Sequence, residues 1–169
     1  MNQANIVEAN KRISELRGLQ GLSVNRAAGM ACLHFGTDDS VYSLHLQCSF
    51  RIRENNEIIV TNTEMTYPSS RVISRPGFSH DSFDWDVQGD NRFDEWVGSL
   101  ESAFTKDLLI IDAKVNAFGD LTVFMSQNLE LEVFVDSSTD ECWRLFSNHD
   151  SRHHFVMTGR GIIEYGDNE

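Results

Sequence analysis

The alternation of apolar and polar residues is strongest between residues 40 and 53. Every second residue from Tyr42 to Ile52 is apolar, and the residues between them are polar or charged. A period of two puts one set of side chains on a buried face of a β-strand. An apolar run at 29–35 precedes this stretch, and the residues between the two runs are turn formers. The two runs therefore predict an antiparallel hairpin.

Two other segments have the periodicity of an α-helix. The first covers residues 4–18 and carries one apolar stripe, formed by Ile6, Ala9, Ile13 and Leu16. The second covers residues 91–105, where one side is lined by Phe93, Trp96, Val97, Leu100 and Phe104. Asp90 or Asn91 can cap the second helix, because side-chain oxygens at this position accept a hydrogen bond from a free backbone N–H group.

The remaining apolar runs predict further strands and a single domain over residues 1–169. These strands are expected at 57–63, 107–118, 121–127, 129–135, 142–147 and 153–159, the last five as a meander. Residues 66–90 lack a sustained period and form a long connection, which in compact domains is often functional or mobile. The predicted fold class is α+β, a mainly antiparallel sheet of seven or more strands, curved or split into two layers. The N-terminal helix and the central helix cover its apolar face.

Acidic residues dominate the charge of the chain. Its 26 aspartates and glutamates against 14 lysines and arginines give a formal net charge of −12. This sign argues against binding nucleic acid or anionic membranes, both of which need lysine and arginine. Two interpretations remain open, namely simple solubility or attraction to a basic protein partner.

The three cysteines, Cys32, Cys48 and Cys142, do not have the spacing of a zinc site or a disulfide framework. We interpret them as reduced, mostly buried thiols, which predicts a reducing, cytoplasmic compartment. The N-terminal residues lack the basic start and apolar run of a signal peptide. No stretch is apolar over the eighteen or more residues of a membrane span.

The best candidate for a binding surface is the acidic segment from Phe78 to Glu101. It holds seven acidic residues against one arginine, a net charge of −6, together with aromatic residues that include Phe78, Phe83, Trp85 and Trp96. Aromatic side chains anchor protein interfaces, while carboxylates select a basic partner. The candidate partner-binding residues are Asp81, Asp84, Trp85, Asp86, Asp90, Asp94 and Glu95. The alternative is a solvated loop whose aromatic rings point into the core. A calcium loop starting at Asp84 matches an EF-hand only in part, and no helix is expected to enter it.

A second candidate site is a run of potential metal ligands near the C-terminus, made up of His149, Asp150, His153 and His154. The spacing of 149 and 153 suits a zinc-binding helix, but the surrounding residues predict a turn. On a strand, His153 and His154 would point to opposite faces. This cluster supports an alternative function as a small metal-dependent enzyme.

The strands near the C-terminus lead to two structural expectations. Arg144 is expected to form an ion pair with a carboxylate such as Glu130 or Glu132 on the preceding strand. The same two glutamates would discourage the strand at 129–135 from pairing with its own copy. We therefore predict a monomer or a weak dimer.

Three stretches resemble an uncharacterised family of small bacterial proteins: YSLHLQCSFRI (42–52), GDLTVFMSQNLELEVFVDSS (119–138) and CWRLF…HHFVMTG (142–159). The resemblance covers most of the chain from residue 22 onward and implies no established activity. Some small acidic bacterial proteins of this kind are immunity proteins, which neutralise a toxin; that analogy rests on size and charge.

No segment carries a recognisable catalytic or cofactor motif. We therefore predict no catalytic residues, no metal ligands and no cofactor, and an enzymatic role is the less favoured one. The favoured hypothesis is a non-enzymatic binding protein that uses the acidic segment to bind a basic protein, with an immunity-type role as its more specific form.

Overall fold

The structure, a computed structural model, describes residues 1–37, 40–100 and 107–165. Within these ranges, the chain forms eleven strands in two antiparallel sheets. The first sheet has the order β1 (Leu22–Ala27), β2 (Met30–Thr37), β3 (Ser40–Leu46), β9 (Glu141–Ser147), β10 (Asp150–Thr158) and β11 (Gly161–Tyr165). The second has the order β5 (Glu57–Thr61), β4 (Ser49–Glu54), β8 (Leu129–Phe134), β7 (Leu121–Met125) and β6 (Ile110–Val115).

Three α-helices accompany the sheets in these ranges: α1 (Gln3–Ile13), α2 (Ser70–Ile73) and α3 (Arg92–Leu100). Short 3-10 helices cover Ser14–Leu16, Asn62–Thr66, His80–Ser82 and Ser126–Asn128. Helix α1 and the turn that follows it confirm the predicted N-terminal helix, because Ala9, Ile13 and Leu16 are fully buried. Helix α3 confirms the central helix up to Leu100, and the end predicted at 101–105 lies outside the described residues.

The two sheets share one hydrophobic core. Helix α1 packs against β6 of the second sheet and β11 of the first. Trp143, on β9, is fully buried, and its Nε1 donates a hydrogen bond of 2.9 Å to the backbone oxygen of Gly119, between β6 and β7. An indole N–H usually needs a partner when it is buried, so this bond fixes the ring between the sheets. The predicted α+β fold with a mainly antiparallel sheet is confirmed, and the sheet is split into two.

The stretch predicted as one strand at 40–53 is two strands that belong to different sheets. Strand β3 ends at Leu46, and β4 begins at Ser49 in the other sheet. The alternation does not reveal the break, because Leu46, Cys48 and Phe50 all remain buried as the chain turns the corner. The hairpin of β2 with β3 is confirmed. Strands β1 and β11 were not expected from the apolar pattern.

The predicted meander is correct for β6, β7 and β8, which are neighbours in the second sheet. It is wrong only at the step from β8 to β9, because β9 crosses to the first sheet and pairs with β3; the predicted pairing of β9 with β10 is confirmed. The edges of the two sheets are therefore β1 and β11, and β5 and β6.

Strand β8 is a central strand, so the argument that its glutamates protect an edge is wrong. Glu132 accepts hydrogen bonds from Arg51 and Arg53 on β4, at 2.6 and 2.9 Å, and Glu130 accepts one from Arg53 at 2.7 Å. The expected pairing of Arg144 with these glutamates is also wrong. Its partner is Glu141, on the same strand, because β8 and β9 lie in different sheets.

Candidate functional site

A buried arginine organises the acidic segment. Arg26, on β1, has a fully buried side chain, and its Nε and Nη2 donate to the two carboxylate oxygens of Asp94 at 2.8 and 2.9 Å. Nη2 also lies 3.2 Å from the backbone oxygen of Trp85 and 3.1 Å from that of Val87. A two-point arginine–carboxylate contact is geometrically specific as well as strong. Arg26 therefore ties strand β1 and helix α3 to the loop between α2 and α3.

Further hydrogen bonds hold the same loop from both ends. The backbone N–H of Gly89 donates to Asp94 Oδ2 at 2.7 Å, and Asn91 Nδ2 donates to the backbone oxygen of Trp85 at 3.0 Å. Asn91 also caps helix α3, because its Oδ1 accepts from the backbone N–H of Asp94 at 2.8 Å. The backbone from Trp85 to Gly89 is thus fixed to strand β1 and to the start of helix α3.

The loop presents an exposed aromatic ring among exposed carboxylates. Trp85 keeps 41% of its surface exposed and Val87 keeps 46%. Asp81, Asp84 and Asp86 are exposed beside them, and Asp84 Oδ1 accepts a hydrogen bond from the backbone N–H of Asp86 at 3.0 Å. We call these five residues the acidic aromatic surface.

Four of the candidate carboxylates contact other parts of their own chain, and one of them is the exposed Asp86, whose Oδ1 lies 3.5 Å from Nη1 of Arg26. Asp90 is nearly buried and accepts hydrogen bonds of 2.6–2.8 Å from Arg71 and Arg75. The hydrogen bonds from Arg75, and then those from Arg71, hold the pKa of Asp90 below its ordinary value. Asp94 is bound to Arg26, and Glu95 accepts a hydrogen bond of 3.1 Å from the backbone N–H of Ser70 at the start of α2.

A pocket of about 360 Å³ opens beside this surface. Its walls include the rings of Phe78 and Phe83 and the carboxylates of Asp84 and Asp90. Arg75 also lines it. The charge of Asp90 is already met by Arg71 and Arg75, so the rings and the exposed carboxylate of Asp84 are the features that suit a long cationic side chain, whose stem packs on the rings while its head meets the charge.

A separate cluster of Cys48, Asp136 and Cys142 lies where the two sheets meet. Their sulfur atoms and a carboxylate oxygen lie within 4.8 Å of one another, and this is the only such three-ligand group among the side chains that the structure describes. The cluster forms because the backbone N–H of Gln47 donates to the backbone oxygen of Cys142 at 2.8 Å, extending the pairing of β3 with β9. Sequence reasoning missed it, since local spacing cannot show contacts between residues so far apart in the chain.

Burial and nearby acidic groups shape the chemistry of this cluster. Asp136 Oδ2 accepts hydrogen bonds from the backbone N–H and the Oγ of Ser49 at 2.9 and 2.6 Å. Burial raises the pKa of the Cys48 thiol, and Cys142 and Asp136 raise it further. All three cysteines are buried and free, as predicted. A pocket of about 240 Å³, lined in part by Cys48, Asp136 and Trp85, leads to the cluster.

The C-terminal histidines are placed differently. The ring of His154 stacks on Phe146 with 4.4 Å between centroids, and its Nδ1 lies 3.3 Å from Nη1 of Arg144. His149 is exposed in the turn before β10. The side chains of Asp150 and His153 lie outside the described residues. No three-ligand group among the described side chains includes a histidine.

A serine–histidine pair on the first sheet has the contact distance of a catalytic nucleophile and its base, so its hydrogen-bond directions decide whether it can act as one. Ser43 Oγ lies 2.8 Å from His34 Nδ1 and 2.7 Å from Asn148 Oδ1. A carbonyl oxygen only accepts, so the hydroxyl donates its proton to Asn148 and accepts from His34. His34 Nε2 then accepts from Asn25 Nδ2 at 3.4 Å. The imidazole is a donor to this hydroxyl, so the pair is not a nucleophile with its base.

The chain matches no protein-family model, no curated protein and no solved structure. The resemblance to an uncharacterised bacterial family therefore stays a prediction. Every helix within the described ranges is too short or too polar to cross a membrane.

Proposed function

We propose that this chain is a non-enzymatic binding protein that engages a basic protein partner through the acidic aromatic surface. The observation that carries the proposal is the exposed ring of Trp85 on a backbone held by the buried Arg26. An aromatic anchor on a rigid loop loses little conformational entropy on binding. Exposed aromatic residues of this kind are typical of interface hot spots.

The charge around the ring supports a basic partner. Asp81, Asp84 and Asp86 are exposed at the same surface, and the whole chain carries a net charge of −12. Carboxylates at the rim of an interface accelerate association with a basic surface and disfavour acidic partners. In this proposal, Asp90, Asp94 and Glu95 hold the surface in place, while the three exposed aspartates and Trp85 face the partner.

An immunity-type role, with a toxin as the partner, is the more specific form of this proposal. The small size and acidic charge of the chain support it by analogy. A cytoplasmic location is part of the proposal and is supported by three free, buried thiols. A toxin gene beside the gene for this chain would strengthen the immunity-type form, and inhibition of that toxin by the purified chain would test it.

The binding proposal is tested by capture from a lysate of the native host with two matched variants. The surface variant replaces Asp81, Asp84 and Asp86 by asparagine. The control variant makes the same change in charge at exposed positions elsewhere: Glu57→Gln, Asp107→Asn and Asp140→Asn. We expect the wild-type chain and the control to retain the same protein, and the surface variant to lose most of it. Equal retention by all three chains would contradict the proposal.

A further inference from the structure

We infer that Cys48, Asp136 and Cys142 form a binding site for a thiophilic divalent cation, with zinc as the best fit. The pocket that leads to this site shares Trp85 with the acidic aromatic surface, but none of the three ligands belongs to that surface, and the test does not need the protein partner. Two thiolates and a carboxylate are zinc ligands, and three protein ligands leave the fourth position of a tetrahedral ion open. Thiolate sulfur favours zinc over magnesium and calcium, which prefer oxygen ligands.

The distances fit a tetrahedral ion with little rearrangement. The three ligand atoms lie within 4.8 Å of one another. Ligand atoms around tetrahedral zinc are about 3.6–3.8 Å apart, given Zn–S and Zn–O distances of about 2.3 and 2.1 Å. Each atom would therefore move by less than about 1 Å to reach a central ion, a change that side-chain rotation can supply.

Hydrogen bonds from Ser49 already orient the carboxylate of Asp136. Ser49 holds Oδ2 of this carboxylate with its backbone N–H and its hydroxyl group, at 2.9 and 2.6 Å. Outer hydrogen bonds of this kind orient a ligating carboxylate, and their loss weakens metal sites. Ser49 begins strand β4, so the sheet fixes the direction of the carboxylate.

The charge around the cluster favours a cation. Asp136 forms no salt bridge with any residue in the described parts of the chain. The thiol of Cys142 donates weak hydrogen bonds to the backbone oxygens of Ser137 and Asp140, at 3.8 and 3.7 Å. A divalent cation held by the two sulfur atoms and by Asp136 would offset the charge of this carboxylate.

The pocket supplies the path by which an ion can enter. Cys48 and Asp136 line it, while Cys142 is fully buried behind them. The pocket is also lined by Gln47, Asn62 and Trp85, so water or a polar ligand can occupy the open coordination position. An ion held here would connect the corner between β3 and β4 to the turn between β8 and β9.

The test is a cobalt titration of the metal-free chain under anaerobic conditions with a phosphine reductant. Co²⁺ bound to thiolates gives an intense near-ultraviolet charge-transfer band, and tetrahedral coordination gives strong visible absorption. We expect both bands to saturate at one equivalent and to disappear when Zn²⁺ is added. Absence of a thiolate–cobalt band in the wild-type chain at stoichiometric concentrations would overturn the inference.

Matched variants locate the site. Cys48→Ser and Cys142→Ser should abolish the charge-transfer band, whereas Cys32→Ser should leave it unchanged, because Cys32 is buried outside the cluster. Asp136 is exposed, so Asp136→Asn is expected to fold and to weaken cobalt binding at least tenfold while keeping the thiolate band. If a serine variant fails to fold, the cobalt affinity of Asp136→Asn still tests whether this cluster is the site. Unchanged affinity in Asp136→Asn, or a band that depends on Cys32, would refute the assignment.

Discussion

Removing the buried guanidinium is the most informative perturbation of the fold, because Arg26 holds the acidic aromatic surface in place. In Arg26→Met, the carboxylate of Asp94 loses both bonds of 2.8 and 2.9 Å, and the backbone oxygens of residues 85–87 lose the hydrogen bonds that Arg26 donates. Breaking a buried pair on one side leaves an uncompensated charge, which costs about 3–5 kcal/mol. For a chain of this size, the melting temperature should fall by roughly 6–20 °C.

Calorimetric melting and urea unfolding measure this loss, and two further variants separate its causes. Arg160→Ala removes an exposed arginine and should change the free energy of unfolding by less than about 0.5 kcal/mol. The double variant Arg26→Met with Asp94→Leu removes both charges and should be more stable than Arg26→Met alone.

A local measurement separates this pair from a general loss of packing. The backbone N–H of Gly89, which donates to Asp94, should exchange with solvent faster in Arg26→Met. A loss below about 1 kcal/mol, or a double variant less stable than the single one, would refute the reasoning on Arg26.

Three other predictions follow from particular contacts. Hydrogen bonds from Arg51 lower the pKa of Glu132 in the folded chain. The ionised carboxylate therefore stabilises the fold at any pH above the pKa of Glu132 in the unfolded chain, about 4.3. This stabilisation is lost as the pH falls through the lower pKa of the folded chain. Urea unfolding should therefore show Glu132→Gln less stable than wild type at pH 7, with the difference shrinking towards pH 2; a constant difference would contradict this. Zinc at tenfold excess should raise the melting temperature of the wild-type chain but not that of Cys142→Ser; equal shifts would contradict this. The net charge of −12 discourages self-association, so light scattering at low micromolar concentration should show a monomer or a weak dimer, and a single stable species of twice the chain mass would contradict this.

The sequence predicted those parts of the fold that depend on local periodicity. Helix α1, helix α3 up to Leu100 and the hairpin of β2 with β3 were found because each buries one regular face. The break between β3 and β4 was hidden, since the alternation continues unchanged through Gln47 and Cys48. The main error was in the predicted strand order. A chain that crosses between two sheets with a common core has the same apolar pattern as a meander within one sheet.

Only those residues of the candidate site that lie close together in the sequence could be predicted. The exposed Trp85 and aspartates are adjacent in the sequence, so composition alone identified them. The arginines that bind Asp90 and Asp94 lie outside the acidic segment: Arg26 is on β1, Arg71 on helix α2 and Arg75 just after that helix. The contact of Cys48 with Cys142 depends on the pairing of β3 with β9, which no local pattern encodes.

The association rate with the purified basic partner, measured against ionic strength, tests the proposed function most directly. For the wild-type chain and the Glu57, Asp107 and Asp140 control, we expect the rate constant to fall steeply as salt increases. The variant without charge at Asp81, Asp84 and Asp86 should associate more slowly and depend less on salt. Trp85→Ala should mainly raise the dissociation rate, weakening affinity about thirtyfold or more, as for an interface hot spot. Identical rates and salt dependence in all four chains would contradict the proposal that this surface binds the partner.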